Sequence, residues 1–103
     1  MAQYLVMAWD GTDAEALARR MAVREAHLAN VAPMVEAGEL LIGGAILDGA
    51  GKMIGSSCIV EFTTRAELDA WLATDPYVTG KVWQRVEVHP MRVAVHASPR
   101  VCK

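Results

Sequence analysis

Cysteine is scarce in this chain, with two among 103 residues. Cys58 lies in a strand pattern and Cys102 in the tail, a separation that matches neither metal-ligand spacing nor a disulfide framework, so no structural metal and no disulfide are expected. Long apolar runs are also missing. None approaches the roughly 20 residues that span a bilayer, and the N-terminus has no basic segment leading into an apolar stretch and a small-residue cleavage site. A soluble, cytoplasmic protein with no membrane partner is expected. Cations are not in excess: Lys and Arg total 10 against 12 acids, giving a net charge of −2. They are scattered, which removes the electrostatic footprint expected of a nucleic-acid-binding protein. The chain also lacks a Gly-x-Ser-x-Gly elbow, internal repeats and low-complexity segments.

What is present is apolar, 53% of all residues. That is enough for one core and too little chain for two domains. A single domain over 1–96 is expected, with 97–103, containing Ser98-Pro99-Arg100, as a flexible tail. Tyr4 to Trp9 is a short apolar run closed by the turn pair Asp10-Gly11 and predicts a first strand. Thr12 or Asp13 caps a helix that runs to about Ala37 and stops at Gly38, with Pro33 expected to kink or interrupt its last turns. Leu40 to Leu47 and Met53 to Phe62 flank Asp48-Gly49-Ala50-Gly51-Lys52 and predict a hairpin. Thr63 or Thr64 caps a short helix carrying Leu68, Trp71 and Leu72 on one side, which Asp75-Pro76 ends. Val82 to His89 predicts a fourth strand. Val82, Val86 and Val88 share one parity while Met91, Val93 and Val95 share the other, which predicts a bulge or break at Pro90 and a fifth strand over 91–96.

Strand, helix, strand, strand, helix, strand is the βαββαβ order of a ferredoxin-like α+β sandwich. Its helices cover one sheet face. Both parities are apolar in Tyr4–Trp9 and in Leu40-Leu41-Ile42, so the other face needs a cover too, most simply a second copy. A homodimer packed sheet against sheet is expected.

A polar stripe on the first helix points to chemistry. Arg20, Arg24 and His27 fall in one narrow arc at about 100° per residue, merging with the apolar line Leu17, Met21, Leu28, Val31 and Val35. Two cations and an imidazole are thereby aimed at the core and need partners. Asp75, in Asp75-Pro76-Tyr77, is the best carboxylate for His27. A carboxylate on one ring nitrogen fixes the tautomer and makes the other a usable general base near neutral pH; the alternative is a core histidine anchored for structure. Arg24, close to the core line, and Arg20 carry planar paired donors suited to a carboxylate or phenolate substrate. For Arg20 the simpler expectation is a head in water, salt-bridged to Asp13, Glu15, Glu25 or Glu61. Ser56 shares the parity of Ile54, Cys58, Val60 and Phe62 and is either a satisfied core serine or a donor to substrate. Tyr77 and Trp83 are candidate pocket walls or core. Gly43-Gly44 precedes no helix and suggests a bulge or close packing rather than phosphate binding.

Arg20-x-x-x-Arg24-x-x-His27-Leu28, Gly38-x-Leu40 leading to Gly43-Gly44, Gly55-Ser56, and Asp75-Pro76-Tyr77 before Val82-Trp83 resemble, in order and spacing, the YciI-like family with its YCII-related domain. The resemblance covers about Tyr4 to Pro90. It implies a dimeric ferredoxin-like α+β barrel with an active site beside the first helix, catalytic residues His27 and Asp75, and Arg24 and Ser56 as neighbours. Gly44 stands where many relatives carry Pro, and Arg100-Val101-Cys102-Lys103 has no family counterpart. The family includes a dehydrochlorinase of a chlorinated hydroxyhydroquinone. The function expected here is therefore a small enzyme needing no cofactor or metal, with lyase, dehydrochlorinase-like or hydrolase-like chemistry on a small anionic or aromatic ligand bound by Arg24, Arg20, Ser56 and Tyr77. The alternative is a noncatalytic ligand-binding or accessory dimerisation module.

Overall fold

A computed structural model describes residues 1–97. Strand β1 (Ala2–Asp10) leads into helix α1 (Ala16–Glu36), then strands β2 (Leu40–Leu47) and β3 (Met53–Phe62), helices α2 (Arg65–Thr74) and α3 (Pro76–Thr79), and strand β4 (Trp83–Met91). The sheet is antiparallel with strand order β2-β3-β1-β4, a ferredoxin-like α+β arrangement. Its inner face meets the helices through Val6 and Ala8 of β1 and Val60 and Phe62 of β3, which pack with Val31, Met34, Leu68 and Trp71.

Local chemistry explains most boundaries. Asp48 Oδ1 accepts from the amides of Ala50 and Lys52 at 2.9 and 3.0 Å, and Gly51 takes φ +86°, which closes the β2–β3 hairpin. Thr64 and Glu67 form a reciprocal capping box at the start of α2. Helix α1, by contrast, begins without a side-chain cap. Neither Thr12 nor Asp13 caps it: Asp13 instead holds Arg19 at 2.7 Å, and Glu15 occupies the cap position. The helix also continues through Pro33 to Glu36.

Two expectations at the C-terminal end are corrected. Pro90 makes no break: it pairs in register with Tyr4 in β4, an edge strand, where a missing amide costs no ladder bond. Residues 92–97 form no fifth strand, and the amide of Val93 is taken by the side chain of Gln3 at 2.8 Å. The register shift lies at the other end of β4. Trp9 pairs with Arg85 while Asp10 pairs with Trp83, which leaves Gln84 as the extra residue. Without that bulge Trp83 would point to the outer face; with it, Trp83 joins the helix-covered layer, where it is buried. The tail and Cys102 lie outside the described residues, apart from Ala97.

The apolar line of α1 also differs from expectation. Val31 is buried, but Met21, Leu28 and Val35 are 49%, 44% and 56% exposed. Leu28 and Val35 face open space between α1 and β2, whose residues Leu41 and Ile42 are exposed too.

Candidate functional site

Asp75 is placed by backbone rules. Pro76 excludes the helical conformation at the residue before it, and Asp75 takes ψ 134°, ending α2. Pro76 then opens α3, and the Asp75 side chain caps it by accepting from the Tyr77 amide at 2.9 Å. The carboxylate, 0% exposed, is thus locked facing α1. All its remaining acceptor capacity is used: Oδ1 meets His27 Nδ1 at 2.7 Å, and Oδ2 accepts from Trp71 Nε1 at 3.0 Å and Asn30 Nδ2 at 3.3 Å. Burial pushes its pKa up, but the hydrogen bonds from His27, the Tyr77 amide and Asn30 outweigh it and hold Asp75 below the usual carboxylate range. It is ionised at neutral pH.

Because a carboxylate only accepts, the proton of the His27–Asp75 contact sits on Nδ1, so that in the neutral tautomer Nε2 carries the lone pair. Nε2 makes no hydrogen bond among the described residues and is not sealed from solvent. The ring is clamped by a parallel stack on Tyr77, with centroids 3.9 Å apart, and by the edge contact with Trp83 at 5.8 Å. It borders a half-open cavity of about 500 Å³ between α1 and the β2–β3 side of the sheet, which also exposes Arg24, Ser56 and Tyr77. Tyr77 is buried, and burial raises its pKa although Arg20 and Arg24 oppose the shift.

The two arginines exchange the places expected of them. Arg20 is the buried one, 3% exposed, with Nη1 on both carboxylate oxygens of Asp10 at 3.1 and 3.2 Å, Nη2 on Ser56 Oγ at 2.9 Å, and its guanidinium carbon 4.8 Å from the Tyr77 ring centre. None of the acids expected for it is its partner. Arg24 is exposed at the cavity edge rather than core-facing and forms no ion pair among the described residues. Ser56 Oγ accepts from Arg20 and also from Trp83 Nε1 at 3.2 Å. With both lone pairs engaged, its own proton is free to donate, and the open direction is the cavity.

Three contributors escaped the sequence reading. In the sequence Asp10 reads as a turn residue, yet it shares the inward parity of Val6 and Ala8. Asn30 sits one turn beyond His27 on the same helix face, a visible signal. Trp71 reads as a core residue, and its indole N–H gives no sequence sign of reaching Asp75. Cys58 lines the cavity, with burial and then the Asp75 charge pushing its thiol up to about 12, so it stays protonated and inert. Among the described residues no cluster of His, Cys, Asp and Glu could hold a metal, and no helix is long and apolar enough to cross a membrane.

The chain is similar to known proteins along most of its length. Escherichia coli protein YciI is 36% identical over 95 residues, covering 86% of this chain and 95% of its own. Among solved structures, 5-chloro-2-hydroxyhydroquinone dehydrochlorinase (TftG) from Burkholderia phenoliruptrix, in complex with 2,5-dihydroxybenzoquinone, superposes with a TM-score of 0.78 at 23% identity, covering 87% of this chain and 93% of that one. A dimeric ferredoxin-like protein of unknown function from Jannaschia aligns with a TM-score of 0.50 at 20% identity, covering 90% of this chain and all of that one. At these identities the structural matches establish a shared fold. The YCII-related domain family matches residues 2–92, and with the E. coli relative this shows that the chain belongs to that family.

Proposed function

We propose that this protein is a small enzyme that acts on an anionic or phenolic substrate with His27 as general base. The observation that carries this is the 2.7 Å contact of His27 Nδ1 with the fully buried Asp75, which leaves Nε2 bare toward a cavity. Nε2 takes a proton from a phenolic hydroxyl or an activated carbon, and Asp75 stabilises the imidazolium as it forms. Arg24, the exposed cation at the cavity edge, attracts the substrate anion, and the Ser56 hydroxyl donates to the developing oxyanion. Elimination of an anionic leaving group, with the electron pair left by the proton forming the new π bond, is the favoured outcome; hydrolysis begins with Nε2 taking its proton from a water instead, whose oxygen then attacks the substrate. Every step named uses side chains of this chain, so no cofactor is invoked. The likeness to TftG supports testing quinol substrates first.

Arg20 is assigned a different part from the one expected. Committed to Asp10 and Ser56, it positions the serine and holds Tyr77, and it does not bind substrate. We further propose a homodimer closed sheet against sheet, the dimeric barrel form. Leu5, Met7 and Ile59 on the outer face are only partly covered in the single chain, and the Jannaschia protein of the same fold is a dimer.

The test is a turnover screen of chlorinated hydroquinones, hydroxyquinones and lactones with the wild type, His27→Ala and Asp75→Asn. Turnover that falls at least about 100-fold in both variants is expected. A binding module is the better description if a ligand stabilises wild type and His27→Ala equally with no turnover.

A further inference from the structure

The cavity has two chemically distinct halves. Along α1 its wall changes from Arg20, Arg24 and His27 to Leu28, Val31 and Val35 without a break, a length of about 22 Å at 1.5 Å per residue. The sheet side follows the same division. Ser56 lies opposite the polar part, held by Arg20, and Ala45 and Gly43 of β2 pair with Ser56 and Cys58, leading to Leu40 opposite Val60. At Gly43 no side chain intrudes: a Cβ there would already lie 3.3 Å from that of Cys58. Val31 belongs to the core, but its neighbours along the apolar half are not packed: Leu28 and Val35 remain 44% and 56% exposed.

Size points the same way. A cavity of about 500 Å³ lies within the roughly 300–1,000 Å³ that holds drug-sized ligands and exceeds what a single substituted ring fills. The head chemistry at His27, Arg24 and Ser56 occupies one end only. We infer that the substrate of this site is amphipathic, with an ionisable phenolic or enolic head at His27, Arg24 and Ser56 and an apolar tail laid along Leu28, Val31 and Val35. The assignment rests on the general-base function proposed above and narrows its substrate class. Arg24 matches one negative charge on the head; among the described residues no cation lines the tail half, which suits an uncharged hydrocarbon tail.

The experiment is calorimetric titration of the full chain with 4-alkylcatechols from methyl to octyl. Binding is expected to tighten about three- to fourfold per methylene until the tail reaches the end of the wall, with an increasingly negative heat-capacity change. In Val35→Lys, an exposed position, the ratio of octyl to methyl affinity is expected to fall at least about tenfold. Methyl and octyl members that bind equally would overturn the tail while leaving the head site standing. If no member binds, the head site and the tail fall together.

Discussion

Replacing Asp75 by Asn keeps the shape of the side chain and removes its charge, so its consequences follow from the four donors that converge there. The amide offers one acceptor oxygen where the carboxylate offered two. With that oxygen kept toward His27 and the Tyr77 amide, the new NH2 group faces Trp71 Nε1 and Asn30. Asn30 can turn its own oxygen to the new donor, but the Trp71 indole N–H has no such freedom and is left unpaired. An orphaned buried donor costs about 1–3 kcal/mol, which at 4–8 °C per kcal/mol lowers Tm by roughly 5–20 °C. In the proposed reaction turnover should fall about 100-fold or more, because the imidazolium it forms would lose its counter-charge. The pH dependence has a definite sign. Asp75 sits below its ordinary value of 3.8 in the folded protein, so between the two values the unfolded chain binds more protons. Its stabilisation is complete above about pH 5 and is lost as pH falls through the lowered value. The stability gap between wild type and Asp75→Asn, read by thermal melts across pH, should therefore close in acid. An Asp75→Asn protein that melts with the wild type and turns over at the wild-type rate would refute the arrangement.

Arg20→Met strands the buried Asp10 carboxylate and should cost about 3–5 kcal/mol in urea unfolding, with part recovered on adding Asp10→Asn. Thr64→Ala removes half of the α2 capping box and should cost about 1 kcal/mol by the same measurement. Cys58, its thiol pushed up to about 12, should resist iodoacetamide at neutral pH in a Cys102→Ser background and react only after denaturation, as intact mass would show.

The sequence made the βαββαβ order and the His27–Asp75 contact legible because both rest on local rules. Proline dictates where Asp75 must stand, and helical period aims His27. What it concealed is nonlocal. The bulge at Gln84 turns Trp83 inward only because β4 pairs with β1 one residue out of step, and the same pairing puts Trp83 opposite Asp10. Asp10-Gly11 reads as a turn, so the buried partner of Arg20 was hidden behind a correct local assignment. Periodicity also identified the apolar stripe of α1 without revealing that Leu28 and Val35 border a cavity instead of filling a core. A helical period names a face; what covers that face is decided by elements far away in the chain.

Long-range proton–nitrogen NMR of His27 tests the dyad most directly, because it reports which ring nitrogen carries the proton and whether the other meets a ligand. A proton held on Nδ1, with the Nε2 resonance moving when a phenolic ligand is added, is expected from the 2.7 Å contact with Asp75. Protonation at Nε2, or an Nε2 resonance indifferent to every ligand that binds, would contradict a general base at this position.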